Sequence, residues 1–117
     1  MIIQHAEYVV CYDVDGTLVS EAPAIGAPNT IPITNPYSGI TLHYTFNERH
    51  IELLRAHHGR GMYVKVWSAA GYKWAASVVN ELGLNDYVDA IETKPALLVD
   101  DLEVHQIFPA RVFLKDE

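Results

Sequence analysis

At 117 residues, half of them hydrophobic and a fifth charged, the chain has the composition of a globular domain with one core, and it is too short for a separate cap domain. A net charge of −7 excludes the generally basic surface of a non-specific nucleic-acid binder; no extended nucleic-acid groove is expected, only a small basic strip around Arg49, Arg55, Arg60 and Lys65. The single cysteine, Cys11, excludes an intrachain disulfide and a cysteine-based zinc site, and nothing resembles a signal peptide or membrane span, so a cytoplasmic protein without a membrane partner is expected.

Residues 7–14 read as the first strand, apolar nearly throughout, as a strand covered on both faces should be. Cys11 inside it reads as an inert buried thiol. Residues 18–46 differ, holding four of the six prolines and no Lys or Arg. Within them, Thr30-Ile31-Pro32-Ile33-Thr34 and Ile40-Thr41-Leu42-His43-Tyr44 flank Asn35-Pro36-Tyr37-Ser38-Gly39. That is the pattern of a β-hairpin with a five-residue turn, and Pro32 suits an exposed edge. The alternative is a plain disordered loop, against which the alternating Ile and Leu weigh.

Asn47 can cap a helix over residues 48–58 with Ile51, Leu54 and His58 on one face, stopped by Gly59 and Gly61. Residues 62–67 predict a second strand. Residues 72–82 predict a helix with Tyr72, Ala75, Ala76, Val79 and Leu82 inward, stopped by Gly83. Strands near 87–92, 96–99 and 111–114 follow, with one or two helical turns in 101–107. Strand–helix alternation predicts an α/β fold with a parallel sheet, and the length leaves room for five strands. The whole of 1–117 reads as one domain, with 18–46 as a β-hairpin flap.

Four apolar runs end in groups suited to phosphate chemistry, and in an open parallel sheet ligands bind beyond the carboxyl ends of the strands. The first run leads into Asp13-Val14-Asp15-Gly16-Thr17. Period-two alternation starts both carboxylates on one side, and a tight turn at Gly16 lets the second swing above the first. One can then attack phosphorus while the other handles the leaving-group proton, roles that demand different protonation states. Thr17 can hold the second carboxylate or donate to a phosphate oxygen. A simple turn or a calcium loop is the competing explanation, but an EF-hand needs further acids and a closing Glu that the following residues lack.

Ser68-Ala69-Ala70-Gly71, between a strand and a helix, offers a hydroxyl and backbone N–H groups at a helix N-terminus, though small residues there also serve packing. Lys94, before Pro95, can offset phosphoryl charge or be a solvated surface lysine. Asp100-Asp101 ends Ala96-Leu97-Leu98-Val99. Two such charges about 4 Å apart repel by roughly 4 kcal/mol at an effective dielectric of about 20, so four converging carboxylates call for a cation. Their all-oxygen chemistry favours Mg²⁺. An acidic helix start is the plainer account of Asp100-Asp101.

Together these residues resemble the motifs of the haloacid dehalogenase superfamily of aspartyl-phosphate phosphohydrolases. Asp13-Val14-Asp15-Gly16-Thr17 is similar to its first motif, Ser68 to the second, Lys94 to the third and Asp100-Asp101 to the fourth. The resemblance covers residues 7 to 114 and implies a Rossmann-like fold with a central five-stranded parallel sheet. It makes Asp13 the nucleophile and Asp15 the general acid and then base. Ser68 and Lys94 become the phosphoryl ligands, with Ala69 beside Ser68. Mg²⁺ would be held by the Asp13 carboxylate, the Asp15 backbone carbonyl and Asp101, with Asp100 acting through water. With no room for a full cap, the chain resembles compact, capless members of the kind common in bacteriophage genomes. The implied partner is a phosphorylated small molecule or macromolecule end, such as a nucleotide or a nucleic-acid terminal phosphate.

Among other residues, His57-His58 fit a helix end, His43 and His50 flank the flap, and His105 could line the edge of the site. Trp67 and Trp74 read as core and site-wall residues, with Trp74 able to stack on a base. Tyr37, at the hairpin tip, is either a substrate contact or an exposed turn residue. The competing functions are a phosphoprotein phosphatase, a receiver-like signalling domain and a non-catalytic phosphate-binding module. The order of the acidic pairs argues against the receiver, and retention of both first-motif acids argues against the module.

Overall fold

The computed structural model describes residues 8–22 and 26–107. Two small sheets share one core. Strands β1 (Val9–Asp13), β5 (Tyr63–Ser68) and β6 (Ala90–Thr93) form a parallel sheet in the order β1-β5-β6. Strands β2 (Val19–Glu21), β3 (Thr30–Thr34) and β4 (Thr41–Phe46) form an antiparallel sheet in the order β2-β4-β3. Helices α1 (Glu48–Gly59) and α2 (Tyr72–Glu81) both pack on β5, and α2 also packs on β3 and β6.

The mixed α/β architecture is as expected, but the five-stranded parallel sheet is not: the described residues give it three strands. Residues 96–99 have the apolar run of a strand but follow Pro95, pair with no strand among the described residues and stand exposed. The expected strand 111–114 lies outside the described residues. The short turn of helix α3 (Val104–Ile107) falls within the predicted 101–107.

Expected hairpin strands 30–34 and 40–44 appear as β3 and β4, pairing from Thr34↔Thr41 to Thr30↔Thr45. Asn35 organises the turn, its side chain accepting from Tyr37 N–H at 2.8 Å and its carbonyl from Gly39 N–H. Strand β2, too short to show a period in sequence, adds to β4 through Val19↔Phe46 and makes the flap a three-stranded sheet.

Asn47 caps α1 by accepting from His50 N–H, and Ile51 and Leu54 are buried as their spacing predicts. His50 is buried beside them, whereas His58 is half-buried. On α2 the inward face is turned from the predicted one. Trp74, Ala75, Val78 and Val79 are buried, while Tyr72 falls at the edge of that face and is exposed. The core joins Tyr12, Val14, Leu18, Ile33, Leu54, Val64, Val66 and Val79, drawing on both sheets and both helices. The parallel sheet is more thinly covered on its other side. There Lys65 and Glu92 form an ion pair at 3.3 Å, and Cys11 is only half-buried, with burial raising its thiol pKa.

Candidate functional site

Strand register sets the site. Asp13 pairs with Trp67 across β1 and β5, and Ser68 pairs with Thr93 across β5 and β6. The carboxyl ends of three parallel strands therefore line up Asp13, Ser68 and Thr93, the arrangement expected at the ligand-binding end of such a sheet. Lys94 follows at once, its backbone N–H donating to the Ser68 carbonyl at 2.9 Å.

Beyond Asp13 the chain turns sharply. The buried Val14 gives its carbonyl to the N–H groups of Thr17, Leu18 and Val19. Gly16 sits at φ 84°, a left-handed conformation that favours glycine, and donates its N–H to Val19 at 2.8 Å. Val14 and Leu18, both fully buried, pin the turn to the core. Asp15 is thereby lifted off the strand into an exposed position while Asp13 stays half-buried.

Asp15 meets two donors. The indole Nε1–H of Trp74 lies 3.2 and 3.3 Å from its two carboxylate oxygens, and the Ser68 hydroxyl lies 3.4 Å from one of them. Asp13, in contrast, receives no side-chain hydrogen bond among the described residues. Ser68 is fully buried, and its hydroxyl accepts from Ala70 N–H at 3.0 Å. The neighbouring Ala69 N–H has no hydrogen-bond partner among the described residues. At the start of α2, Tyr72 N–H donates to Thr93 Oγ1 and Lys73 N–H to the Tyr37 hydroxyl.

The flap reaches the same place. Tyr44 of β4 lies against Trp74 with ring centroids 5.1 Å apart. Burial, then the charges of Asp15 and Glu21, raise the Tyr44 phenol pKa. Tyr37, half exposed, rests its hydroxyl on Gly71, leaving no space there for a Cβ. His50 is buried and donates through Nδ1 to the Thr17 carbonyl, tying α1 to the Asp15 loop, while its Nε2 is buried without a partner. A cleft of about 500 Å³ opens beside Gly16, Thr17, Asn47 and His50 but is not lined by Asp13, Asp15 or Ser68.

The structure thus brings Asp15 to Ser68 and sets Asp13 at the end of the neighbouring strand, with Ala69 next to Ser68 and Lys94 exposed one residue beyond β6; Thr17, in the turn after Asp15, lines the separate cleft. Asp100 and Asp101 are exposed, and no group of three acidic, His or Cys side chains able to hold a metal forms among the described residues. Asp100 instead accepts from Leu102 N–H at 2.9 Å, the main cause of its lowered pKa. Sequence reasoning missed the tie from Trp74 to Asp15. The signal available was an indole three residues past the Ser68-Ala69-Ala70-Gly71 turn, where the first turn of a helix faces the strand ends. His50 was considered only as a residue flanking the flap, and its tie to the Thr17 carbonyl depends on a fold-level approach that spacing does not reveal.

No protein-family model matches the chain, and no curated protein matches it.

Proposed function

We propose that the chain is a capless phosphomonoester hydrolase of the haloacid dehalogenase type, dependent on Mg²⁺ and acting through an aspartyl-phosphate on Asp13. The unequal treatment of two neighbouring carboxylates carries this reading. Asp15 is held by Trp74 and Ser68, whereas Asp13 is not engaged by a described side chain. A nucleophile needs an available lone pair; a group that gives and then takes a proton needs a fixed orientation.

In this mechanism an Asp13 oxygen attacks phosphorus, the bond to the leaving oxygen breaks, and Asp15 passes its proton to that oxygen. Asp15, now ionised, takes a proton from water as the water oxygen attacks phosphorus. The bond to Asp13 breaks, phosphate leaves, and Asp13 returns as a carboxylate. Thr17, the Ser68 hydroxyl, the Ala69 N–H and Lys94 are the donors assigned to phosphoryl oxygens. Mg²⁺ takes oxygen ligands and commonly keeps several waters beside one or two carboxylates, which fits the Asp13 carboxylate and the Asp15 carbonyl. When bound it would offset charge on the phosphoryl oxygens. Asp101 directly, and Asp100 through water, are the further ligands assigned to it.

The substrate class is a phosphate monoester, with a nucleotide or nucleic-acid terminal phosphate favoured. The exposure of Asp15 also suits a phosphoprotein. The separation of Asp100 and Asp101 from the first two acids favours, as a second reading, a module that binds phosphate without turnover. Phosphate release from nucleotides, sugar phosphates, end-phosphorylated oligonucleotides and a phosphopeptide, with Mg²⁺ or chelator, separates these readings. Metal-dependent release by the wild type that Asp13→Asn abolishes is the expected result. Release that survives Asp13→Asn in a clean preparation would remove the nucleophile assignment, and no release from any ester would favour the binding module.

A further inference from the structure

We infer that Trp74 is a positioning residue for Asp15, fixing the carboxylate that exchanges the proton with the leaving group; this role rests on the phosphohydrolase reading. A buried indole needs a partner for its N–H, and any carbonyl in reach would serve. Trp74 is 3% exposed, yet its N–H points at a carboxylate that is itself exposed, and it is nearly equidistant from both oxygens. The carboxyl group is left open to a substrate on one side and held on the other.

Three elements meet in this hold. Trp74 comes from the first turn of α2, Ser68 from the end of β5, and Tyr44, from the flap, packs its ring against the indole. The Val14–Val19 turn sets the height of Asp15, and His50 anchors that turn through the Thr17 carbonyl. The backbone places Asp15 roughly; the indole fixes the plane of its carboxylate. Proton transfer to a departing oxygen needs the acid within hydrogen-bond reach in a defined direction, so losing the indole N–H degrades that step more than substrate binding.

The kinetic test compares wild type and Trp74→Phe, which keeps an aromatic ring against Tyr44, on two esters. An alkyl phosphate has a poor leaving group and needs the proton; an aryl phosphate such as p-nitrophenyl phosphate departs with little help. Because kcat/KM reports steps up to formation of the phospho-enzyme, the two esters isolate the acid step. We expect kcat/KM to fall about tenfold or more for the alkyl ester and less than about threefold for the aryl ester. An equal loss on both esters, or no loss on either, overturns the positioning role.

A readout independent of turnover uses the indole N–H resonances of Trp67 and Trp74 in the ¹⁵N-labelled protein. Asp15→Ala should move the Trp74 resonance and leave that of Trp67 nearly in place. An unmoved Trp74 resonance overturns the inference at the level of the contact, even if Trp74→Phe fails to fold. If the resonance moves but wild type hydrolyses neither these esters nor any nucleotide, sugar phosphate, end-phosphorylated oligonucleotide or phosphopeptide, the contact stands, the phosphohydrolase reading falls, and the positioning role falls with it.

Discussion

At Gly71 two demands fall on one residue. Its φ of 108° lies in the left-handed region, and the Tyr37 hydroxyl occupies the place of a Cβ. Gly39, at φ 75°, shares the first demand and meets open space. Gly39→Ala is therefore expected to cost about 1–2 kcal/mol from backbone conformation alone. Gly71→Ala should cost more than Gly39→Ala, because Tyr37 must also leave the Lys73 N–H. Urea denaturation of both variants checks the difference, and equal losses would mean that the hairpin tip is not seated on α2. A second residue-scale effect concerns pH. Burial first, then the positive charge of Arg60, hold the His57 imidazole pKa below its ordinary 6.5, and His57 Nδ1 shares a 2.6 Å hydrogen bond with the buried Tyr12 hydroxyl. The unfolded chain protonates this histidine more readily, so its contribution to stability is fully present above about 6.5 and is lost as pH falls through the lower folded value. Melting temperatures measured from neutral pH downward should fall less steeply across that window in His57→Gln than in wild type. Parallel slopes would assign the acid sensitivity to other groups.

Between elements, the flap and the parallel sheet are joined through α2, and Ile33 is the main apolar tie from β3, at 1% exposed. Ile33→Ala should destabilise by about 2–5 kcal/mol, with the spread set by how far β3 can settle onto α2. Chemical denaturation measures this; a loss well under 1 kcal/mol would mean that the flap is not part of the core. The same contact explains what sequence could and could not foretell. The hairpin, α1, β5 and α2 were legible because period-two and helical patterns lie between clear stops, Asn47 at one end and Gly59, Gly61 and Gly83 at others. Strand β2 was not legible, because three residues carry no period and Val19-Ser20-Glu21 became a strand only by pairing with β4. The inward face of α2 was displaced because Tyr72 looks like a core residue by spacing but stands at the edge of a face centred on Trp74, Ala75, Val78 and Val79. Of the site, Asp13, Asp15 and Ser68 were readable as strand-end polar groups. The Trp74 contact was not, since it depends on the angle at which α2 leaves β5.

On the scale of the molecule, the two ends of the fold differ in how they are held. Over residues 8–22 and 26–93 the chain is tied by two ladders and a shared core. From Pro95 to Asp101 no backbone-to-backbone hydrogen bond joins it to another described residue, and Leu97 and Val99 are 81% and 90% exposed. Apolar side chains on backbone without a ladder are favoured protease targets. Thermolysin, which cuts beside such residues, should therefore cleave at Leu97, Leu98 or Val99 before any bond between residues 26 and 93. The same digestion tests the assignment of Asp100 and Asp101 to Mg²⁺. If these acids join Asp13 when the cation binds, the segment before them must be drawn toward the end of β1, and cleavage at 97–99 should slow as Mg²⁺ is added. The slowing should disappear in the double variant Asp100→Asn, Asp101→Asn, whereas the rest of the chain remains as resistant as before. Protection that persists in the double variant would place the cation's effect elsewhere. Unchanged cleavage would leave Asp13 and the Asp15 carbonyl as the protein's share of the coordination, completed by water and the phosphoryl group.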